Sequence, residues 1–388
     1  MRLALAIMWL RHSEVCAVGR GGMLLNKDKA LDATRGDVEA PRLLTPLIRA
    51  VMAAEFRNGA TGKGLAEGLR SSGWLIEEID HNRFLRGNGG KSVKAVHRLF
   101  RSSLCRSFNE TILEACEALD AEVFISIKGS DLHHTTLLSL RDRNVKSILY
   151  YPDVDFNHPG VNVSVIKDVD ILITTKSFQM DWLRELRDPR PTCFVHHGYF
   201  TVAEHPLIFA EDEYGYDITY VGHPDRYKLA YLVAVAKAFP NRKILVAGNR
   251  WGAASAGTEL EPFVLDHPLS GDFLADIHRR SRLNIAVHMG RQASGWQDLV
   301  STRTFEIPAF GGFMLHVDNP EVRGLYDVPG EIDVFEGADD LIEKIAYYLD
   351  RPALRRQMID RAHRRAVPAY SYHSRGMEID SLLRPLIG

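Results

Sequence analysis

Short apolar runs alternate with helical stretches twice along this chain, and that alternation sets its fold class. Leu47–Ala54 leads into a Gly-rich turn, Asn58-Gly59-Ala60-Thr61-Gly62, then a helical stretch from Lys63 to Ser71 and a second apolar run at Trp74–Ile76. The unit reads strand, loop, helix, strand. Further strands are expected at Val123–Ile127, Ser147–Tyr151, Ile171–Thr174 and Cys193–His196. Runs of this kind are buried on both faces of a parallel sheet. A second series begins near Asp217, with strands expected at Ile218–Val221, Lys243–Ala247, Phe263–Leu265, Leu283–Val287 and Phe313–His316. Helices are expected at 226–238, 271–281, 301–310 and 338–349, and the tail from 351 to 386 reads as helical with a break near Pro368.

The two series meet around residues 203–214, where Pro206 and Glu211-Asp212-Glu213 interrupt the apolar pattern. The expected architecture is therefore α/β: two doubly wound, Rossmann-like domains facing a cleft, over residues 46–205 and 206–370. Residues 1–45 form an appendage in front, and a helix at 371–388 crosses back to the N-terminal domain. In open α/β sheets ligands sit at the carboxyl ends of the strands, so loops from both domains should wall the cleft.

Composition narrows the function. Lys and Arg total 48 against 50 Asp and Glu, a net charge of −2. That balance excludes a basic nucleic-acid coat or an acidic tail as the main theme, and no nucleic-acid partner is expected. The four cysteines (Cys16, Cys105, Cys116, Cys193) are scattered and contain no C-x-x-C, so neither a disulfide framework nor a zinc site is expected, and a reducing cytoplasm is the simplest home. The early apolar run Leu3–Leu10 is cut off by Arg11 and His12, well short of the roughly 18 residues a spanning helix needs.

The most informative segment runs from Leu283 to Phe335. A buried strand ends at His288, a polar loop follows through Gly290, Arg291 and Gly295, and a helix opens at Ser301-Thr302-Arg303. A helix start offers free backbone N–H groups and a partial positive charge, which suits a diphosphate. Ser301 or Thr302 can cap it, and Arg303 can add a bidentate phosphate contact. Glu306 lies one turn further in, where a carboxylate can accept both hydroxyls of a ribose. Gly311 and Gly312 permit a tight turn into the next strand.

The string Thr302-Arg303-Thr304-Phe305-Glu306-Ile307-Pro308-Ala309-Phe310-Gly311-Gly312-Phe313-Met314-Leu315 resembles the R-x-F-E-x-x-A-x-G-G-x-x-L core of CgeB-like glycosyltransferases. Gly330–Phe335, Leu341–Leu349, Arg364-Arg365 and Tyr370–Arg375 resemble the same family. The resemblance covers roughly the C-terminal 170 residues by motif; the N-terminal half resembles the family only in layout. It implies the GT-B fold, a nucleoside-diphosphate-sugar donor in the C-terminal domain, an acceptor in the N-terminal domain and no metal requirement. It also implies that Glu306 binds the nucleotide ribose.

Other positions carry weaker signals. Gly222 and Arg226 sit at a strand–turn–helix junction where a diphosphate can approach. His288 would face the sugar or base, and Trp251 either stacks on a base or packs at the domain edge. Gly59, Thr61 and Gly62 lie on a cleft loop, although Asn58–Lys63 fails the Walker spacing. The base that accepts the acceptor proton is sought among Asp131, His133, Asp153 and Asp155, with His134 and His158 nearby. Asp168-Val169-Asp170 reads as a strand entry, and His196 and His197 border the cleft without a third metal ligand.

From His81 to Asn109 there are seven Lys or Arg and no Asp or Glu, with Val93, Val96, Phe100, Leu104, Phe108, Ile112 and Cys116 at helical spacing. Two readings stand: a core-packed helix with a solvated basic face, or a surface at 83–106 that meets anionic lipid near a glycan or lipid-linked acceptor. The expected activity is sugar transfer from the donor to an acceptor hydroxyl. The alternatives are a nucleotide-sugar epimerase or hydrolase of the same fold, and a catalytically silent sugar-nucleotide or glycan-binding protein.

Overall fold

The computed structural model describes residues 46–85, 99–156, 160–200, 207 and 210–387. The appendage expected at 1–45, His158, and the Val93–Val96 part of the basic stretch lie outside them.

Two parallel sheets of six strands make up the architecture. The first runs β1 (Ile48–Ala54), β2 (Trp74–Asp80), β3 (Val123–Ile127), β4 (Lys146–Tyr151), β5 (Ile171–Thr174) and β6 (Thr192–Phe194), in the order β2-β1-β3-β4-β5-β6. Its helices are α1 (Thr61–Ser71), α2 (His81–Leu85), α3 (Arg101–Leu119), α4 (His134–Asp142), α5 (Val163–Asp168) and α6 (Met180–Arg187). The second sheet runs β7 (Tyr216–Val221), β8 (Ile244–Ala247), β9 (Val264–Leu265), β10 (Ser281–Ala286), β11 (Met314–Val317) and β12 (Asp333–Phe335), in the order β12-β11-β10-β7-β8-β9. Around it lie α7 (Arg226–Ala238), α8 (Trp251–Ser255), α9 (Gly271–Arg279), α10 (Thr302–Ala309), α11 (Pro320–Leu325), α12 (Gly337–Leu349), α13 (Pro352–Ala366) and α14 (Tyr372–Ile387).

Counted from its own first strand, the second sheet has the order 3-2-1-4-5-6 of dinucleotide-binding folds, with its topological switch between β7 and β10. In the first sheet the order turns at β1 and β3. Central strands such as β1, β4 and β5 are buried along nearly their whole length, which is why their sequences carry no polar alternation. The strand β12 is too short for an apolar run to announce it. Phe100 departs from the expected apolar stripe. It is half exposed at the start of α3, and the buried face begins only at Cys105 and continues through Phe108, Ile112 and Cys116.

A single apolar core passes from the first sheet (Met52, Ile125, Tyr150) through Phe200, Phe305, Phe310 and Tyr372 into the second half. The return of the chain cements it. Helix α14 lies against α1, and a Cβ on Gly376 would collide with the backbone of Gly68, while one on Gly68 would meet the carbonyl oxygen of Tyr372. Trp74 Nε1 donates to Asp380 at 2.6 Å, and Arg384 donates to the carbonyls of Pro46 and Ser72 at 3.0 Å each. Tyr372 N donates to Tyr199 O at 2.9 Å and Tyr199 N to Tyr370 O at 3.0 Å.

Substituting Gly68→Ala or Gly376→Ala should therefore force two helix backbones apart and cost about 1–3 kcal/mol. Gly324→Ala, in α11 with open space at its Cβ, serves as the control and should be neutral or slightly stabilising. Equal melting temperatures for all three variants would contradict the close-packing account.

Candidate functional site

The site grows from the switch point of the second sheet. Strand β7 ends at Val221, and Gly222 turns the chain toward α7. Glycine suits this position, because its φ of +155 is one that L side chains rarely adopt and a Cβ would crowd the Arg303 guanidinium and the Tyr220 hydroxyl. Gly248, after β8, is likewise pressed against the Gly222 carbonyl. Arg303, on the first turn of α10, reaches across the strand ends. Its Nη1 donates to Val221 O at 3.0 Å and its Nη2 approaches Val287 O at 3.5 Å, with the guanidinium 5.3 Å from the Tyr220 ring centre. The Arg303 Nε is buried without a hydrogen-bond partner.

Helix α10 is built around polar contacts that its sequence requires. Thr304 Oγ1 accepts from Ser301 N at 3.2 Å and the Ser301 side chain faces the Thr304 N–H in return, a capping box that closes the N-terminus. Pro308 cannot donate to Thr304 O; Tyr326 Oη donates to that carbonyl instead, at 2.8 Å. Beneath the helix, His316 Nδ1 lies 2.6 Å from Val317 O and therefore carries its proton. Burial pushes His316 down to about 4, so the ring is neutral and its Nε2 is a lone pair. His288 Nε2, 2.8 Å away, must donate to it. His288 Nδ1 is thus a buried acceptor without a partner. Burial first, and then His316, Arg303, Lys176 and Lys228, hold this imidazole neutral.

A cavity of about 220 Å³ opens beside the start of α10. Arg57, Gly59 and Phe200 line it from the first half, and Gly222, His223, Ser270, His278, Thr302, Arg303 and Glu306 are among its walls from the second. Glu306 is only 6% exposed. Burial pushes its carboxyl up to about 7 against the pull of Arg303 and of a hydrogen bond from Thr302. His278 is a second acceptor. Asn284 Nδ2 donates to His278 O (3.0 Å) and Phe313 O (3.3 Å), so Asn284 Oδ1 must accept from His278 Nδ1 at 2.8 Å. Burial holds His278 near 4, leaving its Nε2 as an unpartnered lone pair. The cavity therefore combines hydrogen-bond acceptors with two guanidinium groups, a helix start and a glycine turn.

The residues singled out from sequence divide accordingly. Gly59, Gly222, Thr302, Arg303 and Glu306 come together at this cavity, with Ser301 at the helix cap. His288, expected to face the sugar or base, is instead buried against His316 beneath α10 and does not line the cavity. Arg226 is exposed at the start of α7 and does not line it. The buried cation on that turn is Lys228, whose Nζ donates to His223 O at 3.1 Å and pairs with Asp225 at 3.0 Å. Thr61 opens α1 and meets Tyr372 Oη at 3.2 Å, and Gly62 packs the helix on Ala54, so neither borders the cavity. Trp251 is fully buried, donating its Nε1 to Gly222 O at 2.6 Å, so it props the turn and cannot stack on a base.

The base candidates lie elsewhere. Asp131 is held by Arg101 at 2.7 Å, and His133 lines a separate depression beside Arg101 and Cys105. Asp153 pairs with Lys128 at 2.9 Å at the end of β4, and Asp155 accepts from Tyr151 Oη through its carbonyl at 2.5 Å. His134 pairs with Asp168 at 2.8 Å, and Asp170 accepts from Ser147, as a strand entry would. Sequence reasoning missed His278 and Lys228, which sit in ordinary helical patterns. It also missed the contacts that join the two halves: Lys176 Nζ to Asp298 (2.6 Å) and Val300 O (2.9 Å), and Glu321 to His196 (3.1 Å) and Ser177.

Residues 226–381 match the family model described as glycosyl transferase-like. The solved structures that resemble the chain include a sucrose-phosphate synthase of Thermosynechococcus elongatus (14% identity, TM-score 0.61, covering 87% of this chain and 99% of that one). A glycosyltransferase of Rickettsia africae aligns with 13% identity and a TM-score of 0.57 over 89% of this chain and 99% of its own. Anabaena HepE, solved with UDP and glucose, aligns with 10% identity and a TM-score of 0.57 over 87% of this chain and all of its own. A search among curated proteins gives no match. The fold is GT-B.

The raised Glu306 carboxyl carries a sign that can be checked. Its folded value of about 7 lies above the ordinary carboxylate value, so the protonated form favours the folded state. Relative to Glu306→Gln, the wild-type chain should lose stability as pH rises from about 4.5 through about 7 and level off above, by on the order of 3 kcal/mol at most. Denaturant melts across that window test it; parallel curves for the two proteins would reject the buried-carboxylate account.

Proposed function

We propose that the chain is a glycosyltransferase that binds a nucleoside-diphosphate sugar in the Glu306 cavity and transfers the sugar to an acceptor hydroxyl. The observation that carries this reading is the pairing, in one cavity, of two buried acceptors with an anion-binding helix start. Glu306 and His278 suit the hydroxyl donors of a ribose. The start of α10, the Gly222 turn and Arg303 suit the diphosphate, whose negative charge grows as the bond from the anomeric carbon to the phosphate oxygen breaks. The acceptor oxygen forms the new bond to that carbon, and its proton passes to a base or to the departing phosphate. Asp153 and Asp155, at the end of β4, are the base candidates on the cleft-facing strand ends. In this reading Arg303, from the cavity wall, offsets the leaving-group charge.

Calorimetry with UDP-, GDP-, ADP- and dTDP-sugars tests the donor site. A nucleotide-sugar has no phosphate that titrates near neutrality, so its affinity should rise as pH passes upward through about 7 and Glu306 ionises. Glu306→Gln should weaken binding by roughly tenfold or more, as expected when a charge-assisted hydrogen bond is lost, and should abolish the pH dependence. Unchanged affinity in Glu306→Gln would remove the ribose assignment.

The acceptor is a glycan or lipid-linked saccharide, met at the cytoplasmic face of an anionic membrane through residues 83–106. Leu99 and Phe100 support this placement, being 77% and 53% exposed beside Arg101 and Arg106. No helix among the described residues is long and apolar enough to cross a membrane. Co-sedimentation with phosphatidylserine vesicles should be salt-sensitive and weakened by the double variant Leu99→Ser, Phe100→Ser. Equal pelleting with neutral phosphatidylcholine vesicles would discard the anionic surface.

A further inference from the structure

Of the four tryptophans among the described residues, Trp74 and Trp251 are buried in the cores, while Trp182 and Trp296 come together from the two halves of the chain. Trp182, on α6, is 39% exposed. Trp296, in the loop after β10, is half-buried, with its ring centre 5.3 Å from that of Trp182, 6.1 Å from Phe156 and 6.2 Å from Phe178. Phe156 follows β4 and lies over Tyr151 at 4.3 Å and beside Trp182 at 5.3 Å. Partly exposed rings from both halves of the chain thus form one patch.

The loop that carries Trp296 is constructed to hold it there. Gln292 N donates to Trp296 O at 2.7 Å and Gly295 N to Gln292 O at 2.9 Å, closing a turn in which Gly295 has φ +86. The base of the loop is fixed by Asp298 N on Met289 O at 3.3 Å and by the buried Asp298–Lys176 pair. Thr302, in the donor cavity, follows Trp296 by six positions, so the patch lies no more than about 21 Å from it. Asp155 sits on the same strand-end loop as Phe156.

We infer that this aromatic patch is the acceptor platform, and that it takes a pyranose ring of a saccharide acceptor. The inference rests on the glycosyltransferase reading. A pyranose presents C–H groups on one face, which pack on an aromatic ring, and hydroxyls at its edge, which reach nearby carboxylates and backbone. A patch open on one side, on the same loop that leads into α10 and no more than about 21 Å from the cavity, is where an acceptor ring would be held for transfer. A membrane or a protein partner would call for a broader apolar surface than these rings offer.

Labelled wild-type chain applied with and without UDP to a printed array of hexose, N-acetylhexosamine and deoxyhexose oligosaccharides tests the assignment. Retention on at least one class is expected, at least tenfold weaker for Trp182→Ala and for Trp296→Ala and largely kept by Trp182→Phe and Trp296→Phe. Trp182 is partly exposed, so its removal should leave the fold intact. No retention of the wild-type chain on any saccharide, or equal retention by both alanine variants, would overturn the assignment. So would a lowered melting temperature with unchanged retention, which would make the patch mere packing. Thermal shifts with UDP, GDP, ADP and dTDP on the same proteins separate the two readings. A nucleotide that binds wild type and both alanine variants alike, with no glycan retained, removes the platform and leaves the donor site. No shift with any nucleotide removes the donor site itself.

Discussion

Everything in the cleft depends on one close approach between helix backbones. Gly68 on α1 and Gly376 on α14 stand where no Cβ fits, and this contact seats the end of the chain on the first sheet. Tyr372, at the head of α14, then fills the space between Thr61 and the Tyr199 backbone and joins the core that includes Phe305 of the Glu306 helix. Without that contact, α10 would lose one of the surfaces that orient it, and the cavity between Gly59 and Glu306 would lose a wall. Close-packed interiors transmit such constraints because they cannot be deformed without losing contacts on every side.

The cavity is preorganised at a cost in stability. A carboxyl driven up to about 7, an imidazole held neutral with a bare lone pair and an unpartnered guanidinium nitrogen are all destabilising in the absence of a ligand. They share a chemical sense: acceptors cluster at Glu306 and His278, donors at Arg303 and the start of α10. A ligand carrying hydroxyl donors at one end and an anion at the other satisfies both sets together. The low local dielectric that makes the unpaired groups expensive also strengthens each hydrogen bond once the ligand makes it.

Strand–helix alternation made the architecture legible, because a strand buried on both faces has to be apolar throughout and Ile171–Thr174 or Val123–Ile127 can be little else. The start of α10 was legible for a different reason: a polar loop, a capping serine and a basic first turn stand next to one another in sequence. Arg226 shows where such reading stops. It occupies the expected place in the chain, but a helix turns about 100° per residue, and two positions later Lys228 is the side chain that faces inward. Trp251 shows the same limit, since a strand-end tryptophan looks alike whether it props a glycine turn or stacks on a ligand. His278 carries no signal of its own; it acquires one from Asn284, whose amide is oriented by two carbonyls and so dictates the tautomer. The cross-half contacts of Lys176, Ser177 and His196 pair residues more than a hundred positions apart, which no local pattern reveals.

The stretch from His288 to Glu306 links these elements. Within it lie the His288 imidazole packed beneath α10, the Trp296 ring, the Asp298 carboxylate, the α10 cap, Arg303 and Glu306. Asp298 is nearly inaccessible to water and its partner Lys176 comes from the other half of the chain, so removing either would strand a buried charge. The pair therefore fixes the register between the first-half loops and this segment, and with it the distance between the aromatic patch and the diphosphate cavity. The proposed transfer would require the two sugars to be held in register to within about an ångström. A buried ion pair suits this role because its hydrogen bonds are directional and displacing either partner leaves a charge buried without its counterpart.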